Sequence, residues 1–239
     1  MEETSGYTKL LSHMKRHGYK EEYMCEAVAL LDNMKRLQVG NTDQFQHDLE
    51  NVVARREQYL DYYAEGKAAL RLATYGFRII MRPQGRGGAD MLATWSNAGI
   101  YIEVARFRED PSLTERLRQG GPCDTLVEYG HGEKGVSAVY SKILEEASQL
   151  PPDEIGLVLI ESNMPREDIE FEQACWYLNR LVSREQTYSY LSGVLFDNQE
   201  LIKGRRFYLW LNTEAARPIP PAVAQKLEAL NRPARYLQG

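Results

Sequence analysis

The sequence predicts an α/β protein, and three observations carry that reading. Apolar residues recur at helical spacing through long stretches of the chain, the period switches from helix to strand at Gly76-Phe77, and Ile155 to Ile160 is an almost wholly apolar run. A run of that kind is what a sheet buries on both faces. With 239 residues, 43% of them hydrophobic, the chain can bury a substantial core, enough for one large domain or one domain with an appendage.

Between Thr8 and Leu37 the positions Leu10, Leu11 and Met14, then Met24, Ala27, Val28, Leu31 and Met34, predict two helices broken at His17-Gly18-Tyr19. These make a helical appendage over residues 1–40. Asn41-Thr42 opens a long helical stretch through Phe45, Leu49, Val52, Val53, Leu60, Ala64, Ala68 and Leu72, with Asn41 or Thr42 as N-cap and Gly66 as a point of kinking or division. Gly76 stands where a C-cap glycine belongs, and Phe77 to Met81 reads as a strand halted by Pro83. Ala89 to Trp95 and Ile100 to Val104 read as a hairpin joined by four residues, Ser96 to Gly99. Glu109 and Asp110, as solvated acids, lead into a surface loop from Pro111 to Gly135.

A helix from Val136 to Leu150, stopped by Pro151-Pro152, precedes the apolar strand from Ile155, which belongs at the centre of the sheet. Pro165 opens another helix with Phe171, Ala174 and Leu178 on its apolar face, and Tyr190 to Phe196 and Phe207 to Leu211 supply a terminal pair of strands. The α/β domain thus spans residues 41–220. A helical tail over residues 221–239, with its helix at Ala222 to Leu230, packs loosely or meets a partner.

A net charge of -5 argues against an extended surface that coats nucleic acid, which needs positive potential to recruit phosphates. The charge is uneven, however. Arg78, Arg82, Arg86, Arg106 and Arg108 share one stretch, while acids gather elsewhere, as at Glu167-Asp168-Ile169-Glu170. Cys25, Cys123 and Cys175 are widely separated, and no Cys or His stands at metal-ligand spacing, which points to free thiols. The acidic start Met1-Glu2-Glu3 and the lack of a long apolar run predict a cytoplasmic protein without a membrane anchor.

The candidate chemistry lies in the hairpin. If Trp95 pairs with Ile100, then Leu92 faces Glu103 and Asp90 faces Ala105, so Asp90, Glu103 and position 105 share one sheet face. Mg²⁺ takes hard oxygen ligands, typically one or two carboxylates with waters and substrate phosphate, so an Asp and a Glu on neighbouring strands suit metal-assisted phosphodiester hydrolysis. Glu103 is the sharper of the two, because it interrupts the apolar run Ile100 to Val104 and a carboxylate buried without a partner is costly. The structural alternatives are a hydrogen-bonding residue after a glycine turn for Asp90, and an edge-strand acid or half of a structural ion pair for Glu103.

With Gly88-Ala89-Asp90 and Ile102-Glu103-Val104-Ala105 at this hairpin, the chain resembles the restriction-endonuclease-like (PD-(D/E)xK) family over roughly Ala64 to Leu211. The resemblance implies a three-layer core, a mixed central sheet flanked by helices, built in the order helix, strand, metal-binding hairpin, helix, strand. It implies Asp90 and Glu103 as catalytic acids and metal ligands, Glu65 on the preceding helix as an auxiliary ligand, Mg²⁺ as cofactor and DNA as substrate; the plainer reading of Glu65 is an acid on a solvated helix face. The signature lysine would fall at position 105, which is alanine here and cannot polarise water or stabilise charge on phosphate. Lys142, Lys67 and Arg106 are the basic residues that could replace it, with Arg106 on the opposite sheet face. Lys142 is preferred, because family members relocate the lysine to the helix after the hairpin. Its plainer reading is a surface pair with Glu145 and Glu146 one turn on. Arg82, Arg86, Arg106 and Arg108 are the candidate nucleic-acid contacts.

Other constellations are weaker. Gln84 to Gly88 is glycine-rich but matches neither the P-loop nor the dinucleotide fingerprint, and no serine or cysteine nucleophile has its motif context. Tyr62, Tyr63, Tyr188 and Tyr190 read as packing rather than base stacking. Three functions stand open: a Mg²⁺-dependent nuclease, a catalytically inactive module of the same fold that binds nucleic acid or protein, and a structural or regulatory scaffold. The scaffold would associate through the N-terminal helices, where Met14, Met24 and Met34 form either an adaptable surface or core. The corresponding partners are DNA, a protein at those helices, or a second copy of the chain. A nuclease gathers its arginines at the hairpin cleft; a scaffold scatters them.

Overall fold

The computed structural model describes residues 6–83, 88–107, 133–162, 168–183, 188–198 and 207–231. It is an α/β protein with helices α1 (Thr8–Arg16), α2 (Glu21–Arg36), α3 (Thr42–Val52), α4 (Arg56–Thr74), α5 (Glu133–Ala147), α6 (Asp168–Val182) and α7 (Pro221–Glu228). The strands are β1 (Arg78–Met81), β2 (Met91–Trp95), β3 (Ala98–Phe107), β4 (Gly156–Ser162), β5 (Leu191–Asn198) and β6 (Phe207–Leu211). They form a mixed six-stranded sheet in chain order. None of the described helices is long and apolar enough to cross a membrane. The chain divides into two compact units, one of residues 1–85, 90–99 and 234–239 and the other of residues 86–89 and 100–233.

In the first unit, residues 6–40 share a core with the helices that follow. Leu10, Met14, Leu31, Met34, Phe45, Leu49 and Leu72 are all buried, so Met14 and Met34 belong to the core. The stretch expected as one long helix is two, and the break falls at residues 53–55, where the Tyr19 hydroxyl donates to the Val53 carbonyl. Gly66 does not divide α4. A Cβ there would lie 2.9 Å from both Leu30 Cδ2 and Phe45 Cζ, so the missing side chain lets α4 approach α2 and α3. Asn41 occupies the N-cap position of α3, yet makes no capping bond; its amide donates to the Met81 carbonyl instead. Gly76, at φ 88°, ends α4 as expected: its N–H reaches the Ala73 carbonyl, and the N–H of Phe77 reaches Leu72. This pairing satisfies carbonyls that a helix end leaves open.

β1 pairs antiparallel with β2, Ile79 opposite Ala93 and Met81 opposite Met91. The connection after β2 corrects the sequence reading. It has two residues rather than four, Ser96 and Asn97, both with positive φ (48° and 67°). That is the conformation of a tight hairpin turn matched to strand twist. The register assumed from a four-residue connection therefore does not hold.

In the second unit β4 is central, with all seven residues buried and parallel neighbours β3 and β5 on either side. β6 runs antiparallel to β5. Val158, Ile160, Val194 and Phe196 share a core with Val139, Ile143, Phe171, Ala174 and Leu178 of α5 and α6. The register slips between Gly156 and Leu157. Ser192 tends the irregularity, its Oγ accepting from Gly156 N–H and donating to the Arg217 carbonyl. The tail helix is firmly packed, with Val223, Leu227 and Leu230 buried. Asn231 closes it by accepting from the Phe207 N–H and donating to the Phe207 carbonyl, both at 2.9 Å. A side-chain amide thus serves β6 as a strand partner would.

Gly193 of β5 yields a first expectation. A Cβ there would sit 2.8 Å from the Trp210 carbonyl oxygen and 3.0 Å from Ile219 Cδ1. Because the first of these is backbone, Gly193→Ala must displace β6, and thermal unfolding should show a loss of about 1–3 kcal/mol.

Candidate functional site

Three of the predicted residues meet in the first unit. Glu65 lies on α4, Arg82 follows β1, and Asp90 precedes β2. The Arg82 guanidinium bridges the two acids, Nη1 to Asp90 Oδ1 and Nη2 to Glu65 Oε2. Its planar fork suits such a double engagement better than any lysine would. Beneath it lies the ring of Tyr62, one turn before Glu65 on α4, with the guanidinium carbon 4.7 Å from the ring centroid.

The local backbone builds this arrangement. Arg82 has a left-handed φ of 46°, uncommon for a residue with a side chain and typical of positions held by their surroundings. The hold is visible: Arg82 N–H donates to the Asp90 carbonyl at 2.8 Å, and Met81 N–H to the Gly40 carbonyl at 3.0 Å. Glu65 and Asp90 are each only 6% exposed. Burial works against the charge on Arg82, but Glu65 and Asp90 outweigh it and hold the guanidinium above its ordinary pKa. The cluster is a buried ion triad with its cation supplied by the chain.

Glu103 lies on β3, 5% exposed, in register with Val158, while Ala105 pairs with Ile160. Ala105 is 1% exposed and part of the core under α5 and α6, so the position of the family's lysine is a packing position. Oε2 of Glu103 accepts no hydrogen bond, although the side chain has other interactions.

Lys142 on α5 is paired with Glu145 (3.0 Å) and with Glu146. Glu146 also accepts from Gln149 Nε2 at 2.6 Å. Burial opposes the charge on Lys142, and the bonds to Glu146 and Glu145 override it and raise the pKa. The pairing partners are those the sequence allowed, but only Glu145 lies at the surface, Glu146 being buried.

Of the candidate nucleic-acid contacts, Arg82 and Arg106 lie among the described residues. Arg82 is turned into the triad. Arg106 stands in register with Glu161 on β4, which in turn stands in register with Asp197 on β5. Arg86 and Arg108 lie outside the described residues, as do Glu109, Asp110 and residues 111–132 of the expected loop, whose last three residues instead open α5. Lys67 lies over the Tyr63 ring, 5.7 Å from its centroid. Tyr63 itself stacks on Tyr59, the packing role expected of it.

Glu161 and Asp197, each 4% exposed, are the acids that sequence reasoning missed. The signal that singled out Glu103, an acid attached to an apolar strand run, applied equally to them. Among the described residues, no group of three or more His, Cys, Asp or Glu side chains could hold a metal ion. Glu65 and Asp90 do not fit a resident divalent cation in this arrangement, because a guanidinium already bridges them.

Comparison with protein-family models, curated proteins and solved structures finds no match to this chain. The fold itself defines an α/β protein with a mixed six-stranded sheet and, among the described residues, seven helices.

Proposed function

We propose that this chain is a catalytically silent module of restriction-endonuclease-like type, acting by binding rather than by hydrolysis. The observation that carries the reading is the bridging of Glu65 and Asp90 by Arg82: two of the three acids the resemblance assigns to the metal are held by a fixed internal cation. The burial of Ala105 in the core and the pairing of Lys142 with Glu145 and Glu146 support it, since each leaves the chemistry without its electrophilic lysine. The succession α4, β1, β2, β3, α5, β4 supports the resemblance, being the order of helix, strand, hairpin, helix and strand that the family implies.

A second reading, Mg²⁺-dependent cleavage of DNA through Asp90 and Glu103, is favoured by the burial of Glu103 within β3. It requires Arg82 to release Asp90. Calorimetric titration of Mg²⁺ and Mn²⁺ into the protein and into Asp90→Asn/Glu103→Gln, run beside cleavage assays on single- and double-stranded DNA, separates the two. We expect no saturable metal binding and no cleavage. Cleavage that disappears in the double variant would overturn the silent-module reading. Binding of labelled DNA without cleavage, weakening steeply with salt, would identify nucleic acid as the bound partner.

A further inference from the structure

We propose that the outward face of α6 seats a second copy of this chain, the two copies being related by a two-fold axis that passes beside Trp176. The inference rests on the second unit alone and is independent of the nuclease-like reading.

α6 is amphipathic. Phe171, Ala174 and Leu178 turn into the core, and the opposite stripe, at intervals of four residues, is Glu172, Trp176 and Arg180, all exposed. A surface helix keeps polar residues on that side. Here the middle of the stripe is a tryptophan 51% exposed, with Tyr177 beside it 44% exposed. Trp176 takes no part in the core beneath its helix. The patch is nevertheless ordered by its own contacts: the rings of Trp176 and Tyr177 meet edge to face with centroids 5.0 Å apart, and Tyr177 leans on Tyr140 of α5 at 6.1 Å. Exposed aromatic surface of this kind marks an interaction site.

The charges select the occupant. Among the described side chains of α6 only Glu172 and Arg180 are charged, one turn before Trp176 and one turn after it. Arg180 lies over the indole, its guanidinium carbon 4.6 Å from the ring centroid, and pairs with no carboxylate among the described residues. Glu172 accepts from the Tyr208 hydroxyl at 3.2 Å and pairs with no cation among the described residues. The described charges of the neighbouring α5 are paired with one another, Lys142 with Glu145 and Glu146. A two-fold axis brings one patch onto itself in reverse, so a self-paired surface has to be its own complement. This row is: reversal about Trp176 exchanges the position four residues before it, an acid, for the position four residues after it, a base. Two oppositely directed copies of α6 crossing at about 50°, the commonest helix packing, lay their i±4 rows along one another. Each Glu172 then meets Arg180 of the other copy, about 6 Å along the helix from the axis, with the two indoles between the ion pairs. Tryptophan, tyrosine and arginine are the side chains on which interface affinity concentrates. The opposite charges on either side fix the register.

The test is sedimentation of the full chain over a wide concentration range, with circular dichroism confirming that each variant is folded. The wild-type chain should dimerise. Trp176→Ala, which empties the centre of the row without touching the core, should weaken the dimer by about 100-fold. Glu172→Arg and Arg180→Glu should each weaken it by about tenfold, because each sets like charges against one another at both ends of the row. Mixing those two variants should restore association to within a few-fold of the wild-type level. In the mixed dimer one copy presents two arginines and the other two glutamates, so both ends pair. A chain that stays monomeric throughout, a dimer indifferent to Trp176→Ala, or a mixture that associates no better than its separate components would each overturn the proposal.

Discussion

Arg82→Met lowers the stability of the protein by about 3–5 kcal/mol, read as a fall in the urea midpoint at unchanged slope. The figure follows from what the substitution leaves behind. Glu65 and Asp90 are 6% exposed, and their shared cation is the guanidinium that both touch. Methionine fills much of the space but neutralises nothing, so two carboxylates remain buried at close quarters. The deficit therefore narrows as pH falls, since a proton can neutralise a carboxylate that the guanidinium no longer does. In the wild-type protein Arg82 has its pKa raised further above an already high value. A raised folded-state pKa contributes stability at every pH below the unfolded value, so the arginine itself adds no pH dependence in the accessible range. Adding Glu65→Gln and Asp90→Asn to Arg82→Met should recover most of the loss, because the deficit belongs to uncompensated charge and not to lost packing.

Phe171→Ala costs about 3–5 kcal/mol, measured in the same way. Phe171 is 1% exposed on α6, and its ring lies 4.5 Å from that of Phe196 on β5, with Tyr208 of β6 beyond at 6.3 Å. Truncation removes the ring and leaves a void between helix and sheet that neighbouring rings close only in part. Phe171→Leu, which keeps most of the volume, should lose less than half as much. A loss well under 3 kcal/mol for Phe171→Ala, no larger than that for Phe171→Leu, would mean that α6 is held by its other contacts and that the ring pair contributes little.

The elements were legible wherever local chemistry dictates them. The break between α1 and α2 falls at Gly18, the cap at Gly76 follows from a position that favours positive φ, and the central place of β4 follows from an apolar run with no polar face to offer water. The departures have equally physical causes. Gly66 looked like a helix breaker because the penalty of glycine is local, whereas its use here, close approach to Leu30 and Phe45, depends on residues 36 and 21 positions away in the chain. The turn at Ser96-Asn97 holds two left-handed residues without a glycine, so the two-residue connection carried none of the usual dipeptide signal. The firm packing of α7 depends on Asn231 reaching Phe207, a contact that no periodicity reports.

The candidate site divides along the same line. That Glu103 interrupts an apolar strand run is a property of the sequence, and its burial follows from that, whereas the burial of Glu65 and Asp90 comes from the packing of α4, β1 and β2. Which charge answers these acids is not legible along the chain. Arg82 read as a cation for DNA because it shares one stretch with the other arginines and the hairpin acids, and nothing in its spacing ties it to an acid eight residues ahead or to another seventeen residues behind. Only the tertiary structure, which turns the backbone left-handed at Arg82 and brings the end of β1, the start of β2 and the face of α4 together, decides that its charge points inward. Propensity and hydrophobic patterning are local, so the order of residues along the chain was enough for the α/β class and the central strand, whereas of the buried acids it singled out Glu103 and left Glu161 and Asp197 unread. Charge pairing was decided by the fold, because an ion pair depends on distance in space and is indifferent to distance along the chain.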